Sequence, residues 1–232
     1  MIAFNFQPMD NDKDEISIQD FVGNKSDLVA GKDAGTADQI QVWDGSKFTI
    51  YFYRAYSSVI PKFTLGPAWV KNGATSTVTT DTIKRGSGVW FARPTNKEAG
   101  VITVSGAINA VSKSHDILAG FNMISSAFPC DFKFNGGPID WAACGAVAGK
   151  DAGTSDQIQV WDGSKFTIYF YRAYSSVIPK FTLGPAWVKN GATSTVTADT
   201  IPAGKGFWYA RPTGKDAGTL VEKSPIAPAA AE

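Results

Sequence analysis

Residues 31–100 recur at 149–218 without a gap, at an offset of 118. Within that span residues 38–79 and 156–197 are identical. A period this long is too large for a solenoid unit and fits a whole domain. Whatever fold one copy takes, the other takes as well. Identity through surface turns exceeds what packing demands, so it records a recent duplication or exchange and marks no residue as functional. The differences say more. The leading segments, 3–30 and 120–148, have diverged, and one hairpin tip reads Lys84-Arg85-Gly86-Ser87 in the first copy and Pro202-Ala203-Gly204-Lys205 in the second. Two near-identical cores with different faces suit a protein whose copies have different neighbours.

Strand signals dominate each copy. Gln39-Ile40-Gln41-Val42-Trp43 alternates polar and apolar, Asp44-Gly45-Ser46 supplies a turn, and Phe48 to Tyr53 follows as a second apolar run. This is hairpin chemistry. Further strands are expected at 68–71, 76–80, 89–93 and 101–105, punctuated by Asn72-Gly73 and by Gly86 and Gly88. Residues 55–67 hold two prolines and read as a long loop. The strand Thr49-Ile50-Tyr51-Phe52-Tyr53 is apolar on both faces. The face with Tyr51 and Tyr53 is expected under the long loop or open to a partner. No window carries a helical period of any length. The fold expected is all-β, two tandem β-sandwich or barrel-like domains. Their bounds are 1–108 and 119–223, with a linker at 109–118 and an extended tail at 224–232.

Composition narrows the function classes. A hydrophobic fraction of 44% indicates folded domains. A net charge of +1 without a basic run argues against nucleic acid, which needs clustered cations. No apolar stretch approaches the roughly 20 residues of a spanning helix, so no membrane insertion is expected. No secretory leader opens the sequence. Ala3-Phe4-Asn5-Phe6 matches Gly120-Phe121-Asn122-Met123, which reads as a first copy opening inside a strand.

Cys130 and Cys144 are the two cysteines and lie equidistant from Gly137, in the turn Asn135-Gly136-Gly137-Pro138. A symmetric hairpin there would set them opposite each other, so a disulfide is expected, and with it an oxidising compartment. Catalytic sets are hard to find. His115 is the lone histidine and falls between the copies, where a linker role is expected. There is no His/Cys cluster for zinc and no phosphate-binding glycine loop. Asp10-Asn11-Asp12-Lys13-Asp14-Glu15 starts like a calcium loop but has Glu15 where glycine is needed. Asp38, Asp44 and Asp81 are carboxylates for glycoside hydrolysis only if two of them converge, and turn chemistry is the commoner role of Asp at strand ends. No enzyme, cofactor or metal is expected. Trp43, Trp69, Trp90, Tyr51, Tyr53 and Trp187 are the candidates for stacking on a glycan, although aromatics in β domains are more often core or cross-strand pairs.

The pattern Asp156-Gln157-Ile158-Gln159-Val160-Trp161-Asp162-Gly163, followed by Asp199-Thr200-Ile201-Pro202-Ala203-Gly204-Lys205-Gly206-Phe207-Trp208, resembles repeats of uncharacterised secreted proteins from the Verrucomicrobia and Planctomycetes group of bacteria. Gly120-Phe121-Asn122-Met123-Ile124-Ser125 is similar to the opening strand of such repeats. The resemblance implies an exported or cell-surface β protein with tandem domains and brings no activity with it.

The ends suggest an assembly. Residues 101–108, which lead from copy one toward copy two, correspond to 219–226 near the C-terminus. The tail thus has the place of a connector. Head-to-tail contact through Met1, Ile2 and Phe4 at one end and Pro225, Ile226 and Pro228 at the other would give a homopolymer, since a heterologous contact that does not close builds a filament. The function expected is a structural, extracellular assembly subunit; the alternative is a carbohydrate-binding or adhesive module.

Overall fold

The computed structural model describes residues 1–4, 14–55, 67–108, 110–173 and 184–225. Regular structure there is β apart from one 3-10 turn at Ala152–Thr154. Copy one supplies β1 (Ile2–Ala3), β2 (Glu15–Ser17), β3 (Gln39–Trp43), β4 (Phe48–Arg54), β5 (Ala68–Lys71), β6 (Ala74–Val78), β7 (Thr82–Lys84) and β8 (Gly88–Ala92). Copy two supplies β9 (Lys113–Ile117), β10 (Gly120–Ser125), β11 (Phe132–Lys133), β12 (Gln157–Trp161), β13 (Phe166–Arg172), β14 (Ala186–Lys189), β15 (Ala192–Val196), β16 (Thr200–Ile201), β17 (Gly206–Arg211) and β18 (Gly218–Glu222). Each copy forms a six-stranded sheet of one order, β1-β8-β3-β4-β5-β6 and β10-β17-β12-β13-β14-β15. The molecule is therefore all-β, built from two roughly symmetric sheet units.

Local chemistry explains the hairpins. In β3 and β4 the register runs from Gln39↔Phe52 to Trp43↔Phe48. The turn closes because the Asp44 carboxylate accepts from the Ser46 and Lys47 amides, each at 2.9 Å, while Gly45 takes a φ of 103° that a side chain resists. Alternation then sorts the faces. Ile40, Tyr51, Tyr53, Trp69 and Val89 point into one core, and Phe52 with Val70 and Ala37 forms a small cluster on the other side. The Tyr51 and Tyr53 face is thus the main core itself. The loop expected over it falls mainly at 56–66, outside the described residues.

The leading segments differ in sequence yet do the same work. β2 pairs with β7 and β11 with β16. Beyond each, an amide side chain grips the backbone of a buried tryptophan. Gln19 donates to the Trp69 carbonyl at 2.7 Å and accepts from its N–H at 3.1 Å; Asn135 does so at Trp187, at 3.1 and 2.9 Å.

Three expectations are corrected. First, Cys130 and Cys144 are free thiols, not a disulfide. The symmetric hairpin does not form because its arms find other partners: Phe132 pairs with Ile201, and Ile139 bridges to Glu222. Cys144 packs at the core margin, where its sulfur accepts from the Val221 N–H at 3.3 Å, and burial pushes the Cys130 thiol pKa up. Second, the register equates Ile2 with Ile124, since these pair with the equivalent residues Val89 and Phe207. Ala3-Phe4 is therefore not the counterpart of Gly120-Phe121. Third, residues 113–117 are not linker but β9, paired along its length with β18. The segment 101–105, expected as a strand, is assigned none, although its counterpart forms β18.

Candidate functional site

The copies meet through faces that the alternation leaves outside the cores. Ile40 points inward, so Gln39, Gln41 and Trp43 share the outer face of β3; Trp90 does so on β8. Trp43 meets Trp208 edge-on at 5.4 Å, and Trp90 meets Trp161 at 5.9 Å. These contacts are reciprocal, because Trp43 is equivalent to Trp161 and Trp90 to Trp208. The backbone repeats the pattern. The Ala3 N–H donates to the Gly204 carbonyl at 2.9 Å, and the equivalent Ser125 N–H donates to Gly86 at 2.8 Å. Gly88 and its equivalent Gly206 meet in the middle: a Cβ on Gly206 would lie 3.0 Å from the Gly88 Cα. Reciprocity of this kind is the signature of an isologous, two-fold contact.

The divergent residues break that symmetry at one side. Arg85, where copy two has Ala203, is buried and reaches across. Its guanidinium donates to Asp14 at 2.6 Å and to the Ala127 carbonyl at 3.2 Å, and lies 5.5 Å from the centre of the Phe128 ring. Lys113 joins the same carboxylate at 2.7 Å. Burial raises the Asp14 pKa, but the hydrogen bonds and charges of Arg85 and Lys113 outweigh it, and the carboxyl titrates below its ordinary value. The tip of the β7–β8 hairpin is thus a key for the second copy's leading segment. The remainder of the proposed calcium loop, Asp10 to Lys13, lies outside the described residues.

A cleft of about 370 Å³ runs along this junction, lined by Trp43, Lys84, Arg85, Lys113, His115 and Asn122, among others. His115 is buried in it, contrary to a linker role. Its Nε2 sits 3.0 Å from Glu222, whose carboxylate also accepts from Ser126 Oγ at 2.6 Å and from the Ala127 N–H at 2.9 Å. Serine, histidine and carboxylate are all present, but the serine donates to the carboxylate, not to the imidazole. A nucleophilic set needs the serine on the imidazole. The network instead fastens β9 and β18 to the segment after β10. The cleft has no group of three His, Cys, Asp or Glu able to hold a metal, and neither do the rest of the described residues.

The other candidates are engaged in structure. Asp38 and Asp156 are buried against Arg93 and Arg211, at 2.7 and 3.1 Å. Asp44 closes a turn. Asp81 accepts from Tyr51 at 2.6 Å and Lys71 at 3.1 Å, and Asp199 repeats this with Tyr169 and Lys189. The tyrosine hydrogen bond leads the causes that lower both carboxyls. Tyr51, Tyr53, Trp69 and Trp187 are all core residues, so none offers a ring face to solvent. Of the residues expected at the assembly ends, Ile2 pairs with Val89, Phe4 is fully buried, and Pro225 is exposed; Ile226 and Pro228 lie outside the described residues. Sequence reasoning read Trp43 and Trp90 as possible sugar-stacking rings and missed their place, with Trp161 and Trp208, at the junction. The signal was present: a tryptophan on the glutamine side of an alternating strand marks a covered outer face.

No protein-family model, curated protein or solved structure matches the chain. No helix among the described residues is long and apolar enough to cross a membrane.

Proposed function

We propose that the chain is a structural subunit of an extracellular or cell-surface assembly, joined to its neighbours head to tail. Each sheet unit would be a sandwich or barrel-like domain serving as a rigid link. The observation that carries the reading is the inequality of the two copies. They dock through equivalent faces, yet Arg85 reaches across the junction to the Ala127 carbonyl and Phe128 where copy two has Ala203. A paired unit with unlike sides is what linear association requires. Asp38, Asp44, Asp81, their equivalents in copy two and the histidine are engaged in turns, ion pairs and the Glu222 network, which favours a scaffold over a catalyst. The free thiols give no support for the oxidising compartment, which rests on the motif resemblance alone.

Electron microscopy of the purified chain, with and without residues 224–232, tests the reading. Filaments that disappear on truncation are expected. Monodisperse particles in both preparations would overturn it.

A further inference from the structure

The cleft at the junction is built from both copies. Copy one gives the turn after β3 and the β7–β8 tip; copy two gives the β9–β10 bend. The walls touch at one point, where a Cβ on Gly45 would lie 3.2 Å from Leu118 Cδ1. His115 lines the cleft while only 6% exposed. Its ring is oriented from the far side. Glu222 already accepts from Ser126 Oγ and the Ala127 N–H, so it stands as an acceptor toward Nε2 as well, and Nε2 carries the hydrogen. Nδ1 of the neutral ring is then an acceptor. No described residue donates to it. The facing residue is Gly86, at a φ of 85°. A Cβ there would lie 2.6 Å from Cε1 and 3.0 Å from Nδ1. The glycine thus keeps the tip from covering that edge of the ring. A buried acceptor without a donor costs free energy, and a hydroxyl group entering the cleft would satisfy it.

The rest of the lining limits what carries that hydroxyl. Lys84, Arg85 and Lys113 are balanced by Asp44 and Asp116 in the lining and by Asp14, which Arg85 and Lys113 share. The cleft therefore favours neither an anion nor a cation. It does offer acceptors (Asp44, Asp116 and Nδ1) together with a donor, Lys84. Trp43 adds apolar surface. It is half-buried, and its indole N–H is spent on the Phe121 carbonyl at 2.8 Å, so the ring alone is left for a ligand. A volume of about 370 Å³ is that of a small-molecule site.

We infer that this cleft binds a neutral saccharide, a mono- or disaccharide unit. A sugar combines several hydroxyls, each donor and acceptor, with an apolar ring face, and carries no charge. One hydroxyl donates to His115 Nδ1, others meet Asp116 and Lys84, and the C–H face packs on Trp43. The inference goes beyond the assembly reading and does not depend on it. It moves sugar stacking from the core rings Tyr51, Tyr53, Trp69 and Trp187 to a ring at the junction.

The chain has a single histidine, so one imidazole Cε1–H signal reports on the cleft by NMR. The probes are glucose, galactose, mannose, N-acetylglucosamine, cellobiose and cellotetraose, added to the full chain at constant pH. At least one should shift that signal saturably, with a Kd of about 1 mM or tighter. Asp116→Ala and Lys84→Ala, both at exposed positions, should each weaken binding about fivefold. Trp43→Ala should weaken it about tenfold. The uronic acid of the best-binding sugar should bind about tenfold more weakly, because Asp44 and Asp116 oppose its carboxylate. Binding of cellotetraose as well as cellobiose identifies a chain end as the ligand, and of the shorter sugars alone a free sugar; both uphold the site. No saturable shift from any probe, unchanged affinity in both exposed variants, or tighter binding of the uronic acid overturns the inference. Filaments without sugar binding refute the cleft alone, whereas sugar binding by a chain that never polymerises upholds the cleft and refutes the assembly reading.

Discussion

Among single residues, Gln19 and Asn135 show how little identity a structural role needs. They differ by a methylene, sit in segments that diverged almost completely, and hold the same backbone groups of Trp69 and Trp187. The amide matters because it donates and accepts at once, matching one residue's carbonyl and N–H. Asn135→Ala leaves those groups without this partner at a buried tryptophan, which costs about 1–3 kcal/mol. Urea titration should show a lower midpoint with an unchanged slope; Asn135→Asp, which keeps the acceptor alone, should recover part of the loss. Nothing in the local sequence announced this pair. Alignment of 31–100 with 149–218 stops short of it, and an asparagine beside glycines reads as turn chemistry. The reciprocal tryptophans were, by contrast, within reach of the alternation in Gln39-Ile40-Gln41-Val42-Trp43.

Elements were legible wherever pattern and turn chemistry agreed. The β3–β4 hairpin and β5 lie where alternation, Asp44-Gly45 and Asn72-Gly73 put them. β9 was not legible: Lys113-Ser114-His115-Asp116-Ile117 is mostly polar, and it is a strand because β18 and Glu222 hold it. The cysteine hairpin failed for the converse reason, since tertiary partners drew its two arms apart. The turns carry a testable pH signature. In the β12–β13 turn, backbone N–H groups of Lys165 and Ser164 hold the exposed Asp162 carboxyl down at about 2; Asp44 is lowered in the same way. A carboxyl whose folded pKa lies below its unfolded one stabilises the fold above the unfolded value and loses that effect as the pH falls. Denaturant midpoints should therefore drop between pH about 4 and about 2. The double variant Asp44→Asn, Asp162→Asn should flatten that limb, and an unaltered slope would count against the assignment.

Across the whole molecule, the reciprocal contacts of the junction predict that the two copies unfold as one body. Gly88 tests this. A side chain there would place its Cβ 2.7 Å from the Ile124 carbonyl oxygen and close to Ile124 C, backbone atoms that cannot swing aside. Gly88→Val forces the faces apart, at about 1–3 kcal/mol. Scanning calorimetry of the unmodified chain should give one transition, and the variant should give two, as each sheet unit melts alone. A single transition at the original temperature would place the coupling elsewhere.

The reciprocal contact is, in effect, a homodimer whose partners share a chain. Separate subunits with this interface would part on dilution, whereas the tether through β9 keeps the partner's effective concentration fixed. That frees the two halves to drift. Arg85 against Ala203 is a difference that a dimer of identical subunits has no means of acquiring on one side alone.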